Sequence, residues 1–353
     1  MRALTVQPKS TDSARIEDLP DPTPHDGDLL VDGLAVGVCG TDREIASGEY
    51  GWPPPGRDRL VLGHESLGRV RQAPSGTDFR PGDLVAGVVR RPDPEPCGAC
   101  AHGEFDMCRN ALYTERGIKE IDGYASEQWT VEAAYAVKLD PRLGRAGVLM
   151  EPTSVVAKAW EQVDRIGARA WYEPQRVLVT GAGPIGLLAA LLGQQRGLDV
   201  HVLDRVKAGP KVDAVTALGG TYHHEPVDEV AGKLRPDVVI EATGAGSVVL
   251  DTIANTAAYG ITCLTGVSAH GRPMTFDVGA GNREIVLEND AIVGSVNANL
   301  RHYEAAAAAL AVADPGWLSG LITRRVPLHR FADALAANDD DIKVVLTLTD
   351  EDR

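Results

Sequence analysis

The feature that most constrains this chain is a glycine-rich turn between a strand pattern and a helix pattern. Residues 176–180 form a continuous apolar run, and the hexapeptide 181–186, Gly-Ala-Gly-Pro-Ile-Gly, follows it directly. A helical pattern then continues to residue 196. Glycines at this spacing let the backbone turn tightly and approach a pyrophosphate, which sits on the amino terminus of the helix. The residues predicted to bind a dinucleotide here are Gly181, Gly183, Pro184, Ile185 and Gly186.

The strand after this turn bears on the choice between NAD and NADP. It ends at Asp204, 18 residues after Gly186. An acidic residue at this position hydrogen-bonds the hydroxyls of the adenosine ribose and repels a 2′-phosphate. Asp204 therefore favours NAD. Arg205 follows immediately and could contact a 2′-phosphate, so NADP stays open.

The pattern of apolar and turn residues changes near residue 152. Upstream, short apolar runs separated by turns predict an irregular, mostly β domain. Its predicted strands are 29–36, 60–62, 67–70 and 84–89. Downstream, strands alternate with helices, which is typical of a doubly wound parallel sheet, so the fold class is α/β. The predicted strands there are 176–180, 200–203, 238–241, 261–265, 292–295 and 342–348, and the predicted helices are 152–163, 184–196, 212–218, 248–256 and 303–313.

Charge and hydropathy exclude several classes of partner. The formal net charge of −15 disfavours nucleic acid and anionic membrane surfaces. No segment reaches the roughly 20 apolar residues that a membrane span needs, and the first residues lack an apolar signal core. We therefore expect a cytoplasmic protein without a membrane partner. Five cysteines, of which three cluster, fit metal binding better than a disulfide scaffold.

A second set of residues carries the chemistry of a metal site. Cys39 follows a strand pattern, His64 lies 25 residues later with Glu65 beside it, and Glu151 precedes Pro152. Thiolate, imidazole and carboxylate groups are zinc ligands, and a catalytic zinc keeps one coordination position for water or substrate. Each residue alone would be an ordinary core or loop residue. Beside a dinucleotide motif, the set as a whole is recognisable.

These motifs together resemble the zinc-dependent medium-chain dehydrogenase/reductase family, to which the alcohol dehydrogenases belong. The segments that carry the likeness are 37–42, 63–65, 81–85, the cysteine lobe, 151–152, 181–186 and 241–244. Within that family the chain is most similar to the microbial glucose 1-dehydrogenases. The segments that carry this closer likeness are 40–45, 89–91, 114–118, 122–124, 294–297 and 342–343.

The resemblance implies a domain plan and a set of roles. It implies a GroES-like catalytic domain over 1–152, completed by 299–353, a Rossmann domain over 153–298, and an active site in the cleft between them. Cys39, His64 and Glu151 match zinc ligands, and Glu65 matches a ligand that exchanges with water or a group that orients the site. The hydroxyl of Thr41 would relay a proton from the substrate oxygen towards the nicotinamide ribose. The alternative for Thr41 is a local hydrogen bond in its turn.

The same resemblance extends to substrate, cofactor and assembly. Residues matching sugar contacts are Thr41, Glu115, Glu151, Asn297 and His302. Residues matching further cofactor contacts are Thr243 and Asn297. Val89 stands where some relatives have an asparagine, so one sugar hydrogen bond is missing or is supplied by another residue. Relatives are dimers or tetramers, and a strand around 292–296 is a candidate pairing edge for a homo-oligomer.

The cysteine lobe departs from the family pattern. Relatives often hold a structural zinc with four cysteines spaced C-x2-C-x2-C-x7-C, whereas Cys97, Cys100 and Cys108 give C-x2-C-x7-C. A structural zinc requires four ligands. The candidates for the fourth ligand are Asp93, Glu95, His102, Glu104 and Asp106. The alternative is a metal-free loop with reduced thiols. Cys263 lies in an apolar strand and is interpreted as a core residue.

The leading hypothesis is a zinc-dependent, NAD(P)-linked dehydrogenase that oxidises the C1 hydroxyl of an aldose, D-glucose first, to the lactone. A sugar site needs several convergent polar groups, because each unpaired buried hydroxyl costs about 1–3 kcal/mol. One alternative keeps the chemistry and changes the substrate to a polyol, another sugar or threonine. A second alternative is a nucleotide-binding relative without catalysis. Retention of Cys39, His64, Glu151 and Thr41 together argues against it.

Overall fold

Strands dominate both ends of the chain, and helices alternate with strands in its middle. The computed structural model describes residues 1–267 and 273–349. Its strands are β1 (Arg2–Val6), β2 (Arg15–Asp18), β3 (Asp28–Val38), β4 (Leu60–Val61), β5 (Glu65–Gln72), β6 (Leu84–Gly87), β7 (Arg90–Arg91), β8 (Thr114–Arg116), β9 (Glu120–Ile121), β10 (Gln128–Glu132), β11 (Ala136–Lys138), β12 (Arg176–Thr180), β13 (Asp199–Leu203), β14 (Thr221–His223), β15 (Val238–Glu241), β16 (Ile261–Leu264), β17 (Ala291–Gly294), β18 (Ile322–Pro327) and β19 (Lys343–Thr347). Its α-helices are α1 (Gly40–Ala46), α2 (Gly98–Ala101), α3 (Met150–Gly167), α4 (Pro184–Gln195), α5 (Pro210–Ala217), α6 (Val227–Leu234), α7 (Gly246–Ile253), α8 (Val278–Glu288), α9 (Leu300–Val312), α10 (Pro315–Gly320) and α11 (Phe331–Leu335).

The chain divides into two units, one made of Met1–Ser154 with the residues from Asn297 onwards, the other of Val155–Val296. In the first unit, β3 lies inside a seven-stranded sheet with the order β11-β6-β5-β3-β19-β18, and β10 also pairs with β3. The apolar side chains of these strands form the core with Trp129 and Tyr124. Strand β19 runs antiparallel to β3 and sets Val344 opposite Val38, so the last strand of the chain lies beside the residue before Cys39.

The second unit is a parallel six-stranded sheet in the order β14-β13-β12-β15-β16-β17. Strands β12 and β15 are almost entirely buried, as expected for a sheet covered by helices on both faces. Chain order reverses at β12, because β13 pairs on one side of it and β15 on the other. In open parallel sheets, ligands bind beyond the carboxyl ends of the strands at such a reversal. The glycine motif begins directly after β12.

The predicted α/β fold class is confirmed, and several element boundaries differ from the prediction. Strands 176–180 and 238–241 are found with the predicted bounds. The last predicted helix begins earlier, at Leu300, because Asn299 caps it by accepting from the Arg301 N–H at 3.2 Å. The predicted strand 84–89 ends at Gly87 and the predicted helix 248–256 ends at Ile253. None of the helices in 1–267 and 273–349 has the length and apolarity to cross a membrane.

Candidate functional site

Cys39 caps the short helix α1 at the end of β3. Its backbone is extended, and its sulfur accepts a hydrogen bond from the Thr41 N–H at 3.2 Å. Asp42 completes a reciprocal capping box, because its carboxylate accepts from the Cys39 N–H at 2.9 Å. The local sequence therefore fixes both the thiol and the carboxylate. No hydrogen bond to the Thr41 hydroxyl is recorded within the described ranges, so this hydroxyl is open to a ligand.

His64 meets Cys39 from the loop between β4 and β5. Its Nε2 lies 3.1 Å from Cys39 Sγ, and its Nδ1 lies 3.4 Å from Asp42 Oδ1. Burial alone would lower the pKa of His64, but the negative charges of Cys39 and Asp42 outweigh it and raise that pKa well above its ordinary value. Gly63 before it has φ 89°, and a Cβ there would lie 2.6 Å from Val36. Only glycine therefore fits at position 63, directly before His64, and lets the imidazole reach Cys39.

Glu65 is held by a lysine from the other end of the chain. The Lys343 ammonium pairs with the Glu65 carboxylate and donates to the Val38 carbonyl at 3.1 Å. The side chains of Lys343 and Glu65 are only 1% and 3% exposed, so water does not screen this ion pair. Gly37 makes room for it, because a Cβ at that position would lie 1.9 Å from Glu65 Oε2.

These groups form a donor set for one metal ion. One ligand atom each from Cys39, His64 and Glu65 lies within 4.8 Å of the others. Zinc bonds of about 2.0–2.3 Å would bring such donors to a single ion with small side-chain movements. Glu151 is not part of this group of three, so its predicted role as a ligand stays a prediction. Burial, and then the charge of Glu65, raise the pKa of Glu151 to about 7. A cation would relieve this repulsion and would displace the proton of His64, so the donors fit zinc.

Glu115 and Asn297 come together in the same unit, 182 residues apart in sequence. The Asn297 Nδ2 donates to Glu115 Oε1 at 2.5 Å, and the Arg90 guanidinium donates to the same oxygen at 2.9 Å. His302 is 2% exposed, and its Nδ1 accepts from the Asn299 N–H at 3.1 Å. That contact fixes the ring as the loop-capping group of α9 and places its proton on Nε2. Contact of these side chains with a sugar stays a prediction.

The three lobe cysteines also converge. Their sulfur atoms lie within 4.8 Å of one another. Burial raises the pKa of Cys100 to about 11, whereas the Arg109 N–H lowers the pKa of Cys97 to about 6. One of the five candidates for a fourth ligand, Asp93, lies beside these thiols: its Oδ2 is 3.9 Å from Cys108 Sγ.

Two other candidates for that fourth ligand make hydrogen bonds through one side-chain atom each. His102 Nδ1 donates to the Gly98 carbonyl at 2.7 Å, and Asp106 Oδ1 accepts from Asn299 Nδ2 at 2.7 Å. Glu95 uses its backbone N–H to bind Asp93 Oδ1 at 2.8 Å. Asp93 is itself only 2% exposed, as suits a buried ligand. Cys263 is fully buried in β16, as the interpretation of a core residue requires.

The glycine motif in the second unit has the backbone geometry of a phosphate-binding turn. Gly181 has φ 92°, and Gly183 caps α4 with Pro184 in its first turn. A Cβ on Gly186 would lie 1.7 Å from the Gly181 carbonyl oxygen, so no larger residue fits there. The position of Ile185 in the first turn of α4 follows from the same bounds.

Asp204 is tied to this turn. Its Oδ2 accepts from the Ala182 N–H at 2.8 Å, and Lys211 Nζ lies 3.5 Å away. Its Oδ1 accepts from the Arg205 N–H at 2.6 Å. Thr243 is engaged in the turn after β15, where its N–H donates to Glu241 Oε1 at 2.7 Å. The proposed contacts of Asp204, Arg205 and Thr243 with a dinucleotide remain predictions.

The sequence reasoning gave no role to Asp42, Lys343 or Arg90. Asp42 stands three residues after Cys39, and this capping-box spacing is a readable signal for its orienting contact. Lys343 lies 278 residues from Glu65 and carries no local signal of that pairing. Arg90 faces Glu115 through the register of β7 with β8, which the sequence pattern did not reveal.

Comparison with known proteins agrees with this geometry. Residues 144–348 match the family described as "Glucose dehydrogenase C-terminus", and residues 25–141 match "Alcohol dehydrogenase GroES-like domain". The chain is 38% identical to a glucose 1-dehydrogenase of Methanocella arvoryzae over 99% of both chains. It is 41% identical to a glucose 1-dehydrogenase of Thermoproteus tenax over 98% of this chain and 99% of the relative.

A solved structure gives the same result. Haloferax mediterranei glucose dehydrogenase, in complex with NADP, zinc and gluconolactone, superposes with a TM-score of 0.90 at 33% identity, covering 99% of this chain and 100% of that one. Family matches, sequence relatives and this structure all point the same way. The chain belongs to the glucose dehydrogenase group of the zinc-dependent alcohol dehydrogenase family.

Proposed function

We propose that this chain is a zinc-dependent, NAD(P)+-linked glucose 1-dehydrogenase that oxidises the C1 hydroxyl of D-glucose to the lactone. The observation that carries the proposal is the group formed by Cys39, His64 and Glu65, in the same unit as the contact between buried Glu115 and half-buried Asn297. Relatives named glucose 1-dehydrogenase, and the relative that binds NADP, zinc and gluconolactone, support the substrate and the cofactors.

In this proposal each residue has a defined task. Cys39, His64 and Glu151 would hold zinc, with Glu65 as an exchangeable ligand or an orienting group, and the bound ion would supply a Lewis acid that lowers the pKa of the substrate hydroxyl. Asp42 orients the imidazole of His64. The Thr41 hydroxyl would accept the proton of the substrate hydroxyl and pass it towards the nicotinamide ribose, and the nicotinamide would supply the hydride acceptor.

Other residues hold the reactants in place. Glu115 and Asn297 bind sugar hydroxyls, and His302, in the first turn of α9 in the same unit, is the third proposed sugar contact. The turn 181–186 carries the pyrophosphate on α4, and Asp204 binds the adenosine ribose. Lys211 lies beside Asp204 and weakens its repulsion of a 2′-phosphate, so we propose NAD as the favoured cofactor with NADP accepted.

The test combines metal analysis with NAD(P)H absorbance for aldoses, polyols and simple alcohols with both cofactors. We expect bound zinc and turnover of glucose well above that of ethanol. Cys39→Ser should lose the catalytic zinc and cut turnover severely while the circular dichroism spectrum is kept. Normal activity in metal-free Cys39→Ser protein would refute the zinc assignment. Higher efficiency with a primary alcohol than with every aldose would refute the sugar assignment and leave the zinc assignment intact.

We propose that the lobe cysteines hold a second, structural zinc with Asp93 as the fourth ligand. The three sulfur atoms within 4.8 Å of one another, and the Asp93 carboxylate 3.9 Å from Cys108, support it. Three thiolates and one carboxylate satisfy a closed tetrahedral site. Wild-type protein should carry two zinc ions per chain, and Cys100→Ser should carry one and remain active at moderate temperature. One zinc in the wild type would refute this second site.

We also propose a homo-oligomer and a cytoplasmic location. Among the residues that the structure describes, strand β17 pairs with β16 alone and forms one edge of its sheet. Ile292 in this strand is 41% exposed, and Val296 just after it is 60% exposed. Such an edge invites pairing with a second copy. Light scattering should give a dimer or tetramer, and Ile292→Lys should shift it towards monomer. All five cysteines are free thiols, which fits a reducing compartment.

A further inference from the structure

Arg90 forms an ion pair with Glu115, and the function proposed above gives Arg90 no task. They face each other on the antiparallel strands β7 and β8, and their side chains are both 8% exposed. Arg90 Nη2 and Nε donate to Glu115 Oε1 at 2.9 and 3.2 Å. A buried pair of this kind is weak support for stability, because desolvation offsets much of the attraction. Stability alone therefore does not explain why the chain buries this pair.

The surroundings of Arg90 leave its guanidinium little freedom. Its third nitrogen, Nη1, donates to the Asp106 carbonyl at 3.0 Å, and the guanidinium carbon lies 3.7 Å from the centre of the Tyr113 ring. An arginine that is stacked and bonded at every nitrogen has one orientation. The direction of the Glu115 carboxylate is then set by Arg90.

Asn297 is a further donor to Glu115 Oε1, the oxygen that Arg90 binds. Its Nδ2 donates to Glu115 Oε1 at 2.5 Å, and its Oδ1 accepts from the Ala298 N–H at 2.7 Å, so the orientation of the amide is determined by its partners. The backbone of Asn297 is left-handed, with φ 62°, a conformation that asparagine adopts more readily than most other residues.

Three donors thus saturate one oxygen of Glu115 and leave the other. Within 1–267 and 273–349, no group donates a hydrogen bond to Glu115 Oε2, and this atom is not fully buried. A carboxylate fixed at one oxygen and open at the other is a directed single acceptor. It can take one hydroxyl of a bound sugar without first reorganising.

We infer that Arg90 is a positioning residue for sugar recognition: it holds Glu115 so that Oε2 accepts one defined hydroxyl of the substrate. The inference rests on the proposed function and deepens it. It also accounts for Val89, where some relatives carry an asparagine. Val89 packs its apolar side chain into the core at 3% exposure, so no amide reaches the sugar from that position. Selectivity is carried instead by the next residue through Glu115.

Arg91 provides a matched control. It is as buried as Arg90, pairs with a carboxylate (Glu132, at 2.7 Å), donates to a backbone carbonyl (Val88, at 2.9 Å) and lies 4.2 Å from the centre of a tyrosine ring. It does not touch Glu115. Glu132 is 44% exposed and Glu115 only 8%, so a purely structural role predicts a larger loss of stability for Arg90→Met than for Arg91→Met. A structural role does not predict a loss of activity that depends on one sugar hydroxyl.

The test is a double-mutant cycle read with deoxy sugars. Arg90→Met and Glu115→Gln should each lower kcat/KM for glucose by about 10- to 100-fold, the scale of a charged hydrogen bond. The double variant should fall no more than about threefold below the worse single variant, since both act on one contact. Arg90→Lys should restore part of the loss, and Arg91→Met should stay within about threefold of wild type.

The monodeoxy glucoses supply the signature that a folding defect lacks. The deoxy sugar on which Glu115→Gln has little effect identifies the hydroxyl that Glu115 binds, and Arg90→Met must be equally mild on that same sugar. A loss with Arg90→Met that is equal for all sugars, or additive with Glu115→Gln, overturns the inference. If Arg90→Met alone does not fold, the double variant, which buries no unpaired charge, is compared with Glu115→Gln and Arg90→Lys. A wild type that oxidises no aldose would refute the proposed function itself, which is a separate outcome.

Discussion

The buried contact between Lys343 and Glu65 makes the strongest prediction about stability. Lys343→Met keeps the length of the side chain and removes its charge. It leaves the Glu65 carboxylate, 3% exposed, without its cation, and leaves the Val38 carbonyl without its donor at 3.1 Å. Removing one partner of a buried ion pair costs about 3–5 kcal/mol. Since a domain has about 5–15 kcal/mol of stability, the first unit should become marginal.

The assay is urea unfolding of metal-free protein, followed by far-ultraviolet circular dichroism and by tryptophan fluorescence. Two controls isolate the charge. Lys343→Met combined with Glu65→Met removes both charges and should recover most of the loss, because an apolar pair can replace a buried ion pair at little cost. Lys138→Met breaks the exposed pair with Asp83, in which the lysine is 44% exposed, and should cost less than about 1 kcal/mol. A loss below about 1 kcal/mol for Lys343→Met, or additive losses in the double variant, would show that the ion pair is not buried in the way described.

Three further predictions follow from other contacts. Asp204→Asn keeps an acceptor for the Ala182 N–H but removes the negative charge. The ratio of kcat/KM with NADP+ to kcat/KM with NAD+ should rise by a factor equivalent to about 1–3 kcal/mol. A wild type already strongly selective for NADP+ would contradict this. Glu17 has its pKa lowered to about 2 by hydrogen bonds from Thr5 and Arg15, so its contribution is present above about pH 4.5 and is lost as the pH falls towards 2. Urea unfolding should show Glu17→Gln less stable than wild type by about 1–2 kcal/mol at neutral pH, with the gap closing in acid; a constant gap would rule out linkage. Gly37→Ala should lower the unfolding free energy by about 1–3 kcal/mol because its Cβ meets Glu65, whereas Gly294→Ala, with open space around it, should change it little.

Much of the fold and part of the site could be predicted from local sequence patterns. The strand 176–180 and its glycine turn are readable because burial on both faces and tight backbone approach restrict the residues directly. Cys39 and His64 were predicted from residue chemistry and family resemblance, and the structure brings them to 3.1 Å. The short strand β14 and helix α8 were not predicted, because the first is three partly polar residues and the second contains two glycines.

What stayed hidden are contacts fixed by packing between distant segments. The partner of Glu65 depends on the register of β19 against β3, and a one-residue slip would turn Lys343 to the other face of the sheet. Arg90 and Arg91 look equivalent in sequence, yet alternate faces of β7 send one to Glu115 and the other to Glu132. The contact of Asn297 with Glu115 joins residues that are 182 positions apart in the sequence. Such features depend on the completed tertiary structure.

The pairing of β19 with β3 has a consequence for synthesis on the ribosome. Lys343 follows Val38 by 305 residues, so at about 5–20 residues per second it emerges roughly 15–60 s after the strand it must join. The unit Val155–Val296 is continuous in sequence and can complete its own fold in that interval. The open edge of β3 meanwhile exposes unpaired backbone groups, which are binding targets for chaperones and for other nascent chains. A chain released before β19 is synthesised would therefore keep its nucleotide-binding unit and would expose an unpaired strand edge beside Cys39.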